Sequence, residues 1–366
     1  MKHFEFWPPR LFEAPYYVAL VWGCLRNGVG PRGLPKANYG LDHGELGLGS
    51  KFSTQLAFDQ KYFPPTELLS TDTSDNSVIS DISDISEAQI ANSTSAERWT
   101  HQINRFADSH GFPVIVKPDI GAVGKGVQMV ASQKEIEGVV SSLAVDQLLQ
   151  AFCTEPCEYG VFYVRESGTG RISGINKKHF PTVVGDGKHT LQQLAEQHPR
   201  YTQHWSIFLN HNDLTKVPTN NEEVRLSFIG SHTMGCKFTD ATSLHTPELA
   251  NALNNLCDPQ PGFNFGRLDV RAESDAALQR GEFVVIEVNG IASLPTHMFD
   301  PSYRLRDAYK IFLEHARLLT SIAAEHRTKE MHIDSYSELW ARAKSNAQAL
   351  NAQHDRARQV TAGLAD

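Results

Sequence analysis

The sequence predicts a mixed fold of the α/β or α+β class, and three observations support this. Segments of strand character alternate with helical ones throughout residues 112–330. Hydrophobic residues make up 40% and charged residues 21% of the chain, a globular balance that sets aside disordered, collagen-like and solenoid readings. At 366 residues the chain is also long enough for roughly two to three domains and a sizeable core.

Residues 1–69 are rich in aromatics, Gly and Pro. The run GVGPRGLPKANYGLDHGELGLG (28–49) carries too many breakers for a long element, so short elements and loops are expected here. Residues 70–97 are dominated by Ser, Asp, Thr and Asn and read as a linker or polar insertion. Its Ser and Asp residues suit the N-cap of a helix starting near Ser95, with Trp99, Ile103 and Phe106 on one face and Gly111 ending it.

From Phe112 the strands are PVIVKP, GVQMVAS, DQLLQAF, EYGVFYVRES and RISGINKKHF, with QKEIEGVVSSLA helical between the second and third. A turn-rich loop through Gly185, Asp186 and Gly187 leads to a helix capped by Thr190. ELANALNNLCD is helical, and NFGRLDVRAE and GEFVVIEVNG are strands. Two helical segments follow Pro301. The second, beyond Ile333, sets Leu339, Ala343 and Leu350 among charged residues, to pack on the protein's own core or on a partner.

A net charge of −8 argues against a chain-wide basic surface for nucleic acid. The longest N-terminal apolar run, Ala14 to Leu25, is too short for a membrane span and lacks the basic lead of a signal peptide, so the expected location is cytoplasmic. Five cysteines form an odd set, favouring reduced thiols; Cys153 and Cys157 lack the second pair of a metal knuckle.

FPVIVKPDIGAVGKGVQMV (112–130) runs from strand to lysine to glycine-rich turn to strand. A P-loop needs four residues between its glycines and a hydroxyl after the lysine. Here two residues separate Gly121 from Gly124, and Gly126 follows Lys125. A dinucleotide fingerprint needs a third glycine where Met129 stands and a helix where a strand follows. What remains is a hairpin able to fold over a triphosphate, with Lys117 reaching from the strand beneath.

In GRLDVR (266–271), alternation sets Leu268 and Val270 on one face and Arg267, Asp269 and Arg271 on the other. In FVVIEVNG (283–290), Val284, Ile286 and Val288 share a face opposite Glu287 and Asn289. If the two strands pair, Asp269, Glu287 and Asn289 converge as the hard oxygen ligands that Mg2+ prefers when phosphates complete its shell.

Taken in order, VIVKPDIGAVGKGV, LLQAF, EYGVFYV, VVGDGKHTL, FGRLDVR and VIEVNG resemble the ATP-grasp superfamily. Within it they are similar to the carboxylate-amine ligase branch represented by D-alanine–D-alanine ligase and cyanophycin synthetase. The resemblance spans roughly residues 110–325. It implies an α+β fold of two lobes clamping ATP, here as an ATP-grasp domain over 98–330 with a divergent N-terminal region and a C-terminal helical extension over 331–366.

By motif, the resemblance implies that Lys117 contacts the α-phosphate side and that Gly121, Gly124, Lys125 and Gly126 form a lid over the β- and γ-phosphates. Gln150, Ala151, Phe152 and Cys153 fall at the interlobe hinge that reads adenine, with Gln150 where a glutamate often accepts from the adenine amino group. Glu158 matches the ribose contact, Lys178 is a γ-phosphate candidate, and Arg267 matches the arginine that stabilises the reacting phosphoryl group. Asp269, Glu287 and Asn289 match the ligands of Mg2+, with Mn2+ an alternative.

The implied reaction is attack of a substrate carboxylate on the γ-phosphate to give an acylphosphate, which an amine captures with release of ADP and phosphate. Small-molecule carboxylates and amines are therefore the expected partners, with no nucleic acid and no membrane span; a homodimer is left open. A small-molecule kinase and a non-catalytic nucleotide-binding module are the rivals. The polar loop GSHTMGCKFTDAT (230–242), with His232, Cys236 and Lys237, is a candidate for the acceptor side.

Overall fold

The computed structural model describes residues 3–71, 94–121, 124–201, 208 and 212–363; the core of the Ser/Asp-rich stretch, 72–93, lies outside them. The helices are α1 (Pro9–Arg26), α2 (Lys51–Leu56), α3 (Ser95–His110), α4 (Ile136–Ser142), α5 (Leu191–Gln197), α6 (Pro247–Cys257), α7 (Asp275–Gln279), α8 (Leu305–Glu325) and α9 (Tyr336–Gly363). The strands are β1 (Thr66–Leu69), β2 (Val114–Pro118), β3 (Gln128–Val130), β4 (Gln147–Ala151), β5 (Cys157–Glu166), β6 (Thr169–His179), β7 (Thr182–Val184), β8 (Glu223–Arg225), β9 (Lys237–Asp240), β10 (Phe265–Ala272) and β11 (Val284–Asn289).

One lobe is a four-stranded antiparallel sheet in the order β1-β4-β2-β3. Its Val114, Val116 and Leu149 meet Trp99, Ile103 and Phe106 of α3 and Ile136 and Val140 of α4. Each such side chain contributes about 1.5–3 kcal/mol by leaving water. The cap of α3 is Thr94 rather than a Ser or Asp: it forms a capping box with Glu97, and Gly111 ends the helix at φ 80°.

The second lobe is a five-stranded antiparallel sheet in the order β11-β10-β5-β6-β9. One face, with Tyr159, Val161, Leu268 and Val270, packs on Leu249, Leu253 and Leu256 of α6 and Leu278 of α7. On the other face Phe162, Val164 and Phe265 are covered by Leu318, Leu319 and Ile322 of α8. The residues of that same face beyond α8 are charged, and they floor a cleft between the lobes. A small β7-β8 hairpin with α5 forms a separate cluster around Leu191, Tyr201 and Phe208.

The N-terminal region departs from the expectation of short elements. Residues Pro9–Arg26 form an 18-residue helix that starts with Pro9 in its first turn and runs through the interior Pro15 and Gly23, the denser cluster of breakers following Asn27. Phe12 and Tyr16 bury it against Phe312 of α8, with Tyr16 stacked on Phe312 at 4.3 Å. No described helix is long and apolar enough to cross a membrane. All five cysteines are free.

α9 packs on α4 and reaches the 42–43 turn of the N-terminal region. Ahead of it, Asp334 pairs with His43 at 3.0 Å, and on its second turn Arg342 reaches Asp42 at 3.3 Å. Farther on, the buried Gln353 accepts from Gln147 Nε2 at 2.9 Å, and Arg356 donates to the Leu143 carbonyl at 3.2 Å. A Cβ on Gly121, at the lid, would touch Leu350 at 3.5 Å.

Candidate active site

β10 and β11 pair antiparallel with Arg267 opposite Asn289 and Asp269 opposite Glu287, so all four side chains share the cleft face. The strict alternation expected for the second strand does not hold. A bulge at Ile286 breaks the register between Asp269 and Val270, so Val285 and Val288 enter the core while Ile286 lines the cleft. The carbonyl of that bulged residue accepts from Lys117 Nζ at 2.9 Å, tying the two lobes together.

The floor is a closed ion network. Arg267 grips Asp269 at 2.7 and 3.2 Å, and Lys178 bridges Asp269 at 3.1 Å and Glu158 at 2.8 Å. Arg271 pairs with Glu158 at 3.2 Å and donates to the Cys153 carbonyl at 2.8 Å. Burial works against the charges of Asp269, Lys178 and Arg267. It is outweighed at Asp269 by Arg267 and Lys178, which hold the carboxyl below its ordinary range, and at Lys178 by Asp269 and Glu158, which raise the ammonium. Arg267 is raised the same way by Asp269. Lys117 differs: burial lowers it, and Glu287 offsets this only in part.

Fourteen of the fifteen residues matched by the resemblance line one cleft of about 580 Å3, as does His232 of the polar loop, whereas Cys236 and Lys237 do not. Gly126 is the fifteenth; it turns away at φ 76° and packs on Pro118 and Gln353. Gly124 lies directly against Ile229, with which a Cβ would collide. The Gln150 oxygen accepts from Lys117 at 3.0 Å and its amide donates to Thr66 at 3.1 Å, so this side chain sets the lysine. At the hinge, Ala151 N–H donates to the Pro65 carbonyl at 2.9 Å.

Sequence reasoning missed several lining residues. Lys51 donates to the Gly121 carbonyl and lies 3.9 Å from Glu287. Glu45 accepts from Thr54 at 2.8 Å, and burial raises its carboxyl. Glu5 is held by Arg200 and His232. No local spacing marks Lys51 or Glu45. An acid inside the aromatic run FEFW was a signal for Glu5.

A glycine-rich turn on one antiparallel lobe thus faces carboxylates and arginines on the sheet of the other. The family model for the carbamoyl-phosphate synthase L chain, ATP-binding domain, matches residues 75–158. Among solved structures the chain is similar to a bifunctional glutathione synthetase from Pasteurella multocida, at 14% identity over 72% of this chain and 36% of that one, TM-score 0.35. It is also similar to D-alanine–D-alanine ligase from Bacillus anthracis, at 13% identity over 73% and 66%, TM-score 0.35. A third is N5-carboxyaminoimidazole ribonucleotide synthetase in an ADP complex, at 13% over 74% and 51%, TM-score 0.38. The matched region thus spans between 36% and 66% of these proteins. No curated protein matches the chain.

Proposed function

We propose that the chain is an ATP-dependent carboxylate-amine ligase that joins a small carboxylic acid to an amine through an acylphosphate, releasing ADP and phosphate. The observation that carries the reading is the pairing of β10 with β11, which sets Arg267, Asp269, Glu287 and Asn289 face to face beneath Lys117 and the glycine lid. Two carboxylates and a carboxamide on neighbouring strands fit Mg2+ or Mn2+ as hard oxygen donors. When bound, the metal supplies charge neutralisation to the phosphates.

The chain's own residues do the rest by positioning. Lys117, set by Gln150 and the Ile286 carbonyl, presents a fixed ammonium to the triphosphate. Arg267, oriented by its two-point pair with Asp269, faces the negative charge that grows on the transferring phosphoryl group. The lid, seated on Ile229, keeps water from the acylphosphate. No nucleophilic side chain is required.

The test is an ADP-release screen of purified protein against amino acids and small carboxylates, singly and in pairs with amines, with and without hydroxylamine and with mass analysis of products. A carboxylate-dependent hydroxamate is expected. A stable phosphorylated product would replace this reading with the kinase, and no substrate-dependent ADP release from any pair would refute turnover.

A further inference from the structure

At the end of the cleft nearest the N-terminus, Glu5, Trp7 and Phe12 meet His232, Phe238 and Phe299. We propose that this is an amine subsite for an acceptor with an apolar or aromatic body, and that His232, positioned by Glu5, takes the proton of its ammonium group. The inference rests on the ligase reading.

Three observations support it. Glu5 has 2% of its side chain exposed, and its charge is already matched by Arg200, whose Nη1 donates to Oε2 at 3.0 Å. Arg200 also donates to the carbonyls of Gly235 at 3.3 Å and Cys236 at 3.1 Å, fixing the carboxylate against the loop that carries His232. His232 Nε2 lies 2.6 Å from Glu5 Oε1. With Nε2–H donating to a carboxylate, the neutral ring keeps its lone pair on Nδ1, which is the tautomer a proton acceptor needs.

The imidazole is also held in place and graded toward the cleft. It stacks on Phe299 with centroids 5.5 Å apart and planes at 24°, and lies 5.7 Å from Phe238. Its side chain is 29% exposed where Glu5 is closed off. Two residues before it, Gly230 lies directly against Glu158, so the same loop reaches the charged floor. The remaining walls are rings: Phe12 packs on Phe299 at 5.6 Å, and Trp7 completes the apolar side. Such walls select an apolar body on the amine, and the histidine stands at its polar end.

The proton and electron balance is simple. The ammonium gives one proton to Nδ1 of His232. The freed nitrogen lone pair attacks the acyl carbon, the C–N bond forms, and the bond from that carbon to the phosphate oxygen breaks with its electron pair leaving on phosphate. The second nitrogen proton departs with phosphate, and the imidazolium returns its proton to water.

Hydroxylamine separates this step from the earlier one, because it is uncharged near neutral pH and needs no proton acceptor. Wild type and His232→Gln are assayed with ATP, each of the twenty amino acids as carboxylate, and hydroxylamine, phenethylamine or ethanolamine as nucleophile. Wild type is expected to form a hydroxamate and to prefer phenethylamine to ethanolamine. The variant is expected to lose phenethylamide formation at least about 100-fold more than hydroxamate formation, the lower range for acid-base catalysis. Glu5→Gln, which retains an acceptor oxygen, is expected to show a smaller loss of the same kind.

A wild type that makes no hydroxamate from any carboxylate overturns the ligase reading itself. A wild type that makes it but joins neither amine, or prefers ethanolamine, overturns the apolar subsite. Variants that lose hydroxamate and phenethylamide equally, or lose neither, overturn the proton-accepting pair.

Discussion

Replacing Asp269 with Asn tests the floor of the site by its effect on folding, before any substrate is known. The carboxylate sits beside Arg267 at 2.7 and 3.2 Å and Lys178 at 3.1 Å, and is closed from solvent. Removing one partner of a buried pair costs about 3–5 kcal/mol, because the remaining charges stay desolvated. Asn keeps one oxygen for Arg267, and Lys178 keeps Glu158, so the lower end, about 3 kcal/mol, is expected. At about 2 °C per kcal/mol for a chain of this size, Tm should fall by roughly 6 °C.

Urea unfolding and thermal melts without nucleotide or divalent metal read this directly. The pH dependence gives a second check. Burial pushes the Asp269 carboxyl up, but Arg267 and Lys178 win and depress it. A depressed carboxyl contributes stability that is present above its unfolded value, about 3.9, and lost as pH falls through the folded value. The gap between wild type and variant should therefore be full at pH 7 and close below about pH 4. A gap under about 1 kcal/mol at pH 7, or one that widens on acidification, would refute the counterion role.

Three further outcomes are expected. Lys117→Ala should weaken ATP binding by tenfold or more, the equivalent of at least about 1.4 kcal/mol, in a direct binding titration; unchanged affinity would count against its phosphate role. Gly124→Ala places a Cβ at φ 75° and against Ile229, so turnover should drop sharply as the lid fails to seat while Tm moves by only a few degrees; unaltered kcat would show that the lid does not close this way. Gln353→Ala leaves the Gln147 amide without its 2.9 Å acceptor, and urea unfolding should register a loss of about 1–3 kcal/mol.

Much of the arrangement could be read from local pattern. The helix face of Trp99, Ile103 and Phe106 follows from a spacing of three and four. The cleft face of Arg267, Asp269 and Arg271 follows from strand alternation, and the lid from counting glycines. What escaped depends on contacts between distant segments. The bulge at Ile286 leaves no mark in FVVIEVNG, because alternation is a property of one strand and a bulge is a property of two. The helix Pro9–Arg26 was hidden by Pro15 within it and by the breakers just beyond its end. Arg200 and His232 stand 195 and 227 residues from Glu5, a separation over which no spacing rule speaks.

The C-terminal helix has a practical consequence. α9 is pinned at one end to the 42–43 turn and rests farther on against Gln147, Leu143 and the cleft-lining glycine Gly121. An affinity handle or a truncation placed there is therefore expected to disturb the turn at Gly121 as well as to serve purification. Activity measured on such material should be compared with protein tagged elsewhere before a weak ATP affinity is ascribed to the site itself.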